Sequence, residues 1–423
     1  MSASRSGAAR DRGTVVAADR VVTAPGRPVL RRAAVLVHDG RIAAVGARDD
    51  FGAPDVDLGE RTLVAGLIDA HVHLAKWPEG GGPLPHQQTV EGQLLQTVSH
   101  VQRFLRQGVT AVRDLGSPNG VVGTVRDAVE AGTVLGCRVQ TANEVITITG
   151  GHGNSFGMEC DDDTALRRAV RTHVKQGSDW IKIMASGGFT NPYRSERETP
   201  YAPLFDEHQV RLLVDEAHRF GLPATAHCQG REAIAQAFEA GVDTLEHLSF
   251  AAKPVAVVDQ DLARAIGQAG TPVVPTTNNY WLTVGVPWAP KDVALANLKL
   301  LHDCGIALAA GTDMGLPTTT PETYAAGLEV MAVAGLPLED VLAAATTVAA
   351  RAIGREDSMG RLDVGLCADM VALDGNPLDD VSAYSRPTWV MVGGRTAPSA
   401  ADEAVWRPEP AGAAWSGVHL FGD

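Results

Sequence analysis

The chain has 423 residues, of which 45% are hydrophobic and 20% are charged, and its formal net charge at pH 7 is −14. This length and composition are typical of a globular protein with one large domain and a smaller one. The acidic balance argues against a nucleic-acid partner or an anionic membrane surface, because binding to phosphate groups requires a basic protein surface.

The sequence shows no sign of export or of membrane insertion. Residues 1–13 are rich in Arg, Ser and Ala and lack an apolar stretch, which predicts a disordered tail rather than a signal peptide. No apolar run approaches the length of a membrane span. The cysteines are five in number, scattered, and form no Cys-x-x-Cys motif: Cys137, Cys160, Cys228, Cys304 and Cys367. This pattern is typical of reduced thiols, and we therefore expect a cytoplasmic protein.

Short β-like runs alternate with turn signals between residues 14 and 61. The runs are Thr14–Val22, Ala33–His38 and Arg41–Gly46, and Asp39-Gly40 is a hairpin-type turn between the last two. Few helical periods occur here. The pattern predicts a small β unit.

From Thr62 onward, apolar strand-like runs alternate with amphipathic stretches. The predicted strands are Leu63–Leu74, Thr110–Asp114, Glu144–Thr149, Asp179–Met184, Ala224–His227, Thr244–His247, Thr271–Pro275 and Ile306–Thr312. The predicted helices include Thr89–Gln107, Thr164–Gln176, Asp206–Phe220, Arg231–Ala240 and Val255–Ala269, and a glycine follows each of them. Eight strand–helix units favour an α/β fold of the (β/α)₈ TIM-barrel type. An open doubly wound sheet is the alternative, but no Gly-rich dinucleotide loop follows the first strand.

The last part of the chain returns to β-like sequence after a predicted helix at Pro337–Ile353. Gly360–Leu362, Asp369–Leu373 and Trp389–Val392 are the candidate strands, and Gly393-Gly394 is a tight turn. We expect these strands to pair with the N-terminal β unit, so that both chain ends form one small domain.

The first strand of the predicted barrel, within Gly66–Leu74, contains two histidines. His71 and His73 are two residues apart, and in a strand such side chains point the same way. They can therefore bind one metal ion from one side. An isolated His-x-His pair is ambiguous, because histidines also occur on strand faces without a metal.

Further residues of the same kind end the later strands. In a (β/α)₈ barrel the active site lies at the carboxyl ends of the strands. The residues at those ends that can ligate a metal, directly or after modification, are His71, His73, Lys182, His227, His247 and Asp313. Neutral imidazoles suit zinc and similar ions, and a carboxylate can also accept a proton from water. Together these residues predict a metal centre.

Lys182 is the unusual member, because an ammonium group cannot bind a cation. Burial should lower its pKa and leave a reactive amine, which can add carbon dioxide to become an anionic, bidentate carbamate. The alternative is a salt bridge inside the barrel.

These motifs resemble the amidohydrolase superfamily, metal-dependent hydrolases with a (β/α)₈ barrel and a small β-sandwich. The resemblance covers nearly the whole chain and rests on Gly66–Leu74, Thr110–Gly116, Ile181–Gly188, Ala226–Gly230, Leu245–Leu248, Gly311–Asp313 and Arg361–Gly394. It implies that residues 1–65 and 358–423 form the β-sandwich domain and residues 66–357 the barrel.

The resemblance also implies roles for the ligands. His71 and His73 would bind the more buried of two divalent ions, and Lys182, N6-carboxylated, would bridge the two. His227 and His247 would bind the second ion, while Asp313 would bind the first and act as general base. The catalytic set would be Asp313, Lys182 and His247, with a bridging hydroxide as nucleophile. Zinc is the default metal, although manganese, iron or cobalt can replace it.

Within the superfamily, the chain is most similar to the Xaa-Pro dipeptidase/imidazolonepropionase-like branch. The run Thr149–Gly153 resembles that branch, in which its histidine, here His152, reaches toward the substrate. Two departures concern the pocket. Phe205 stands where the peptidases carry a tyrosine, and Met314-Gly315 follows Asp313 where a Pro-His pair is common. Replacement contacts are predicted on the loops, and a packing role is open for each of these residues: Tyr193, Arg194, Tyr201, Asn278 and the loop Trp77–His86.

Three functional hypotheses follow. The first is a binuclear amidohydrolase that cleaves an amide bond in a dipeptide or N-acyl amino acid. The second keeps the metal centre but acts on a lactone, a carbamate, a cyclic amide or an amidine, the last as a deaminase. The third is a non-catalytic relative, although such relatives typically lose ligands and this chain has lost none. We expect a small-molecule substrate as partner, and the sequence leaves homo-oligomerisation open.

Overall fold

The computed structural model describes residues 13–78, 88–188, 199–283 and 285–397. The predicted disordered tail therefore lies outside the described residues, apart from Gly13. No helix in these ranges is both long enough and apolar enough to cross a membrane.

The described residues contain seventeen strands. They are β1 (Thr14–Val21), β2 (Leu30–His38), β3 (Arg41–Ala47), β4 (Val56–Asp57), β5 (Thr62–Ala65), β6 (Leu67–Val72), β7 (Val109–Asp114), β8 (Arg138–Thr141), β9 (Val145–Thr147), β10 (Gly157–Glu159), β11 (Ile181–Met184), β12 (Ala224–Cys228), β13 (Thr244–His247), β14 (Val273–Val274), β15 (Met370–Leu373), β16 (Pro387–Val392) and β17 (Arg395–Thr396).

Ten α-helices lie in the same ranges. They are α1 (Val90–Arg106), α2 (Val121–Glu130), α3 (Asp163–Gln176), α4 (Glu207–Arg219), α5 (Arg231–Ala240), α6 (Gln260–Ala269), α7 (Lys291–Asp303), α8 (Tyr324–Val333), α9 (Leu338–Ala345) and α10 (Thr347–Ala352).

One sheet joins the two ends of the described chain. Its order is β17-β16-β15-β5-β1-β2-β3, with β4 beside β1. The junction is the antiparallel pair β5–β15, in which Ala65 lies opposite Met370 and Thr62 opposite Leu373. One face packs into an apolar cluster that includes Val16, Val35 and Leu63. The predicted pairing of the C-terminal strands with the N-terminal β unit is therefore confirmed.

The parallel strands form two further sheets. One has the order β6-β7-β8 and the other β10-β9-β11-β12-β13-β14. Residues 307–314 hydrogen-bond to β14 on one side and to β6 on the other. Val273 N donates to Ala307 O over 3.0 Å, and Ala70 N donates to Ala310 O over 2.9 Å. The segment that carries Asp313 therefore lies between β14 and β6.

Gly66 is the point at which the chain passes from the first sheet to the parallel strands. A Cβ atom there would lie 2.1 Å from Thr110 Oγ1, so only glycine allows this approach of the backbone to β7. Its N–H donates to Asp369 O over 2.9 Å. The predicted single run Leu63–Leu74 was therefore wrong, because it is two strands in two sheets.

Most helix predictions are confirmed within one residue. The five glycines predicted to follow helices have φ between 73° and 83°: Gly108, Gly177, Gly221, Gly241 and Gly270. Val255–Ala269 was too long, because Asp259 caps a helix that begins at Gln260. Pro337–Ile353 is two helices that meet at Thr346, whose φ/ψ of −133°/−89° is not helical. Gly360–Leu362 is not a strand, and residues 306–312 form only one bridge, between Leu308 and Val273.

Candidate metal centre

His71 and His73 lie on β6 and converge on Asp313. His73 Nε2 is 3.1 Å and His71 Nε2 is 3.6 Å from Asp313 Oδ1. The three residues offer ligand atoms that all lie within 4.8 Å of one another. His73 Nδ1 donates to Gly116 O over 2.8 Å and His71 Nδ1 donates to Glu246 Oε2 over 2.7 Å. With Nδ1 donating, Nε2 is the ring nitrogen of each histidine that faces Asp313 and can bind a metal ion.

Asp313 is held in a strained backbone conformation. Its φ is +57°, in the left-handed region that costs a non-glycine residue free energy. The segment stays in place because Asp313 N donates to His71 O over 2.8 Å and His73 N donates to Met314 O over 2.7 Å. Burial alone would raise the pKa of Asp313, but His71 and His73 hold that pKa well below its usual range. The carboxylate is therefore ionised.

His227 and His247 come from the ends of β12 and β13 and complete a group of four imidazoles. Their ring centroids are 4.4 Å apart, and those of His71 and His247 are 5.1 Å apart. His227 Nε2 donates to Gly187 O over 3.1 Å, and His247 Nδ1 contacts Thr276 Oγ1 at 2.9 Å. Burial lowers the pKa of both rings well below its usual value. Both are therefore neutral, the form that binds metal ions.

Lys182 lies on β11 with 1% of its surface exposed. Its Nζ atom has no hydrogen-bond partner among the described residues, and no described carboxylate lies within ion-pair distance of it. Burial lowers the pKa of Lys182 to about 8. It is close enough to His227, His247 and Asp313 for electrostatic interaction. The salt-bridge alternative therefore finds no partner in the described residues, whereas a reactive amine fits this environment.

Behind the ligands lies a buried ion pair that the sequence reasoning missed. Arg113 on β7 and Glu246 on β13 both have 0% side-chain exposure, and Arg113 Nη2 is 2.8 Å from Glu246 Oε1. Thr225 and Thr244 donate their hydroxyls to the same oxygen over 2.6 and 2.9 Å. Glu246 Oε2 accepts from His71, so the pair fixes the ring orientation and tautomer of that histidine. The sequence signal that could have revealed this ion pair was the presence of opposite charges within two strands that were predicted to be buried.

Asp69 supports the same strands. Its Oδ2 accepts from Thr312 Oγ1 over 2.6 Å, and its Oδ1 accepts from Thr312 N and His71 N over 3.1 and 3.2 Å. Burial raises the pKa of Asp69 to about 7. The residue therefore ties the segment before Asp313 to β6.

The residues that were predicted to contact the substrate lie in different parts of the structure. His152 lies next to the imidazole group, with its ring 4.7 Å from that of His227, and its buried Nδ1 has no partner in the described residues. Tyr201 lines a cavity of about 430 Å³ together with Trp288. Asn278 donates to Thr312 O over 3.0 Å and accepts from Tyr280 N over 3.1 Å, so its amide holds the loop.

The structure thus brings His152 to the centre and places Tyr201 at the cavity that Trp288 also lines, which includes none of the predicted ligands. Tyr193 and Arg194 lie outside the described residues, as does most of the predicted Trp77–His86 loop. All substrate contacts therefore stay predictions.

Comparison with known sequences places these residues within a described family. A sequence model of the Amidohydrolase family matches residues 62–397, which include every predicted ligand. Ochratoxinase from Aspergillus niger is 28% identical over 437 residues, which cover 90% of this chain and 86% of that protein. Imidazolonepropionase from Cupriavidus taiwanensis is 26% identical over 387 residues, covering 80% and 84% of the two chains.

A solved structure shows the same fold. A prolidase complexed with N-methylphosphonate-L-proline superposes with a TM-score of 0.78 at 27% sequence identity. The match covers 90% of this chain and 99% of the prolidase. The likeness therefore extends over the sheet that joins both chain ends and over the parallel strands.

Proposed function

The chain belongs to the amidohydrolase family, and on that premise we propose that it is a binuclear metal-dependent hydrolase that cleaves an amide bond in a small molecule. One observation carries the proposal. Four buried imidazoles, an ionised carboxylate and a buried amine without a partner among the described residues converge where the parallel strands end. A structural cluster would not need six such groups, and a pair of divalent ions would satisfy all of them.

The donor set fits two ions bridged by a modified lysine. His71, His73 and Asp313 would hold one ion through atoms that already lie within 4.8 Å of one another. His227 and His247 would hold the second. Carboxylation of Lys182 would supply the shared anionic ligand, and the proposal is supported by its unpartnered Nζ. Zinc is the metal that this imidazole and carboxylate set suits best.

Each residue of the centre would have its own role in the reaction. When bound, the two ions would lower the pKa of water and polarise the scissile carbonyl. Asp313, kept ionised by His71 and His73, would accept the proton of the attacking water at Oδ1 and pass it to the leaving amine. His152, with its free Nδ1, would orient the substrate carbonyl. No Ser or Cys nucleophile is required.

We further propose that the parallel strands form a closed (β/α)₈ barrel over residues 66–357, with the first sheet as the small β-sandwich domain of residues 1–65 and 358–423. The two-sided hydrogen bonding of residues 307–314 supports closure. The change of sheet at Gly66 supports the first boundary.

For the substrate we propose a dipeptide or an N-acyl amino acid. The prolidase and ochratoxinase relatives support an amide substrate. The buried Phe205, which offers no hydroxyl, supports a pocket different from that of the peptidases.

Metal removal tests the proposal. Dialysis against a chelator is expected to reduce amide hydrolysis by about 10³-fold or more, because both the nucleophile and the polarised carbonyl depend on the ions. Two equivalents of Zn²⁺ per chain should restore the rate. The assay measures initial rates on dipeptides and N-acetyl amino acids, with esters, carbamates, lactones and amidines as separate arms. Full activity in chelated protein would overturn the proposal, and hydrolysis of a non-amide arm alone would favour the alternative chemistry.

A further inference from the structure

Lys76 presents an ammonium group beside the metal centre. It follows His73 by three residues, and its backbone N–H donates to His73 O over 3.2 Å. Its Nζ lies 4.3 Å from the centre of the Phe156 ring, and the same ring lies 5.6 Å from that of His73. The lysine and a predicted ligand therefore contact one aromatic ring.

This ammonium has no hydrogen bond or ion pair in the described part of the chain. The two carboxylates that interact with it at longer range are already engaged. Asp114 accepts from Leu74 N over 2.6 Å and from Ser117 Oγ over 2.8 Å. Asp313 lies against His71 and His73. Lys76 is half-buried, and an ammonium group without an anionic partner can accept one from a ligand.

The loop after Asp313 makes room for this lysine. A Cβ atom on Gly315 would lie 3.1 Å from Lys76 Cβ and 2.9 Å from His73 Cβ. Gly315 also has a φ of +115°, which favours glycine. The loop after Asp313, which lacks the Pro-His pair, therefore packs directly on Lys76.

We propose that Lys76 binds the carboxylate of the substrate's leaving group and so makes the enzyme selective for amides of free amino acids. The inference rests on the proposed function. In a dipeptide or N-acyl amino acid the α-carboxylate lies roughly 4 Å from the scissile carbonyl carbon. Its binding group must therefore be a neighbour of the metal ligands, as Lys76 is. A charge-assisted hydrogen bond from the ammonium would fix the leaving group for attack.

Matched pairs of probes test the inference. Each N-acetyl-L-amino acid is compared with its C-terminal amide, which keeps the scissile bond but lacks the charge. The readout is the ratio of kcat/KM for acid over amide in the Zn²⁺-loaded wild type, in Lys76→Met and in Lys76→Arg. We expect the wild type to prefer the acids, and Lys76→Met to lower the ratio about 10- to 100-fold, mainly through KM. Lys76→Arg should retain most of the preference.

A matched control separates this effect from a general loss of lysine charge. Lys299 pairs with Asp303 on α7, and Lys299→Met should leave the ratio unchanged. An unchanged ratio in Lys76→Met, or equal losses for acids and amides, would overturn the inference.

A binding measurement keeps the inference distinct from the proposed function. If no probe is hydrolysed by any variant, the proposed function fails, yet calorimetry still compares N-acetyl-L-phenylalanine with its amide. Tighter binding of the acid to the wild type but not to Lys76→Met supports the role of Lys76. Equal binding of the two probes to the wild type refutes it.

Discussion

Replacing Lys182 with methionine is expected to abolish amide hydrolysis while leaving the metal-free protein as stable as the wild type, or more so. The two outcomes have different causes. Methionine is unbranched and one atom shorter than lysine, and it has no amine to carboxylate, so the shared ligand is lost and activity should fall by about 10³-fold or more. In the absence of metal, the substitution removes a buried amine that has no partner in the described structure. Removing such a group should not cost folding free energy.

Three measurements check this expectation. Metal analysis of the purified variant should find fewer than two ions per chain. Urea denaturation of chelated protein should give a free energy of unfolding no lower than that of the wild type. Activity of the reconstituted wild type should rise with bicarbonate, because carboxylation consumes carbon dioxide, and the variant should not respond. A loss of stability in metal-free Lys182→Met would instead indicate a structural ion pair.

The shorter variant Lys182→Ala offers a complementary test. It leaves a cavity next to His227 and His247 in which the carboxylate of added acetate can stand for the carbamate oxygens. We expect acetate to restore part of the activity of Lys182→Ala but none of that of Lys182→Met, in which the side chain fills the space.

Much of the predicted centre followed from two periodicities. The period-2 geometry of β6 predicts that His71 and His73 face the same way, and the strand–helix rhythm predicts that His227, His247 and Asp313 gather at one end. The structure brings these residues together because parallel strands align their carboxyl ends. Both patterns are local in the sequence, and both predict the same residues when the strand boundaries are not exact.

Other features depend on contacts between distant segments, which periodicity does not encode. Gly66 ends one strand and begins another because of Thr110, which lies on the next strand of the parallel sheet. Lys76 follows the His-x-His pair in the sequence, but its surroundings are set by contacts with Phe156 and Gly315. The non-helical backbone conformation of Thr346 likewise divides a segment whose sequence predicts a single helix. No periodic pattern in the sequence predicts contacts between segments that lie so far apart along the chain.

The Arg113–Glu246 pair was missed for the same reason, and its removal should have the largest effect on stability. Replacing Arg113 with methionine is expected to lower the free energy of unfolding by about 3–5 kcal/mol, because Glu246 would remain buried and charged without its partner. Arg113 also donates from Nε to Ala70 O over 2.8 Å and from Nη1 to Ala352 O over 3.0 Å, so its loss leaves two carbonyl groups short of a donor. Urea denaturation of chelated protein measures the change.

The double variant Arg113→Met/Glu246→Gln separates the cost of an unpaired charge from that of lost packing. If the charge dominates, the double variant should be more stable than Arg113→Met alone, although it lacks both ionic groups. It should also bind metal about 10- to 100-fold more weakly than the wild type, since glutamine no longer accepts from His71 as a carboxylate does. Arg264→Met is the matched control, because Arg264 and Asp261 are exposed on α6 and their pair should contribute less than about 1 kcal/mol. If the double variant loses the sum of the effects measured for Arg113→Met and for Glu246→Gln alone, Arg113 and Glu246 act independently and the explanation by an unpaired charge is wrong.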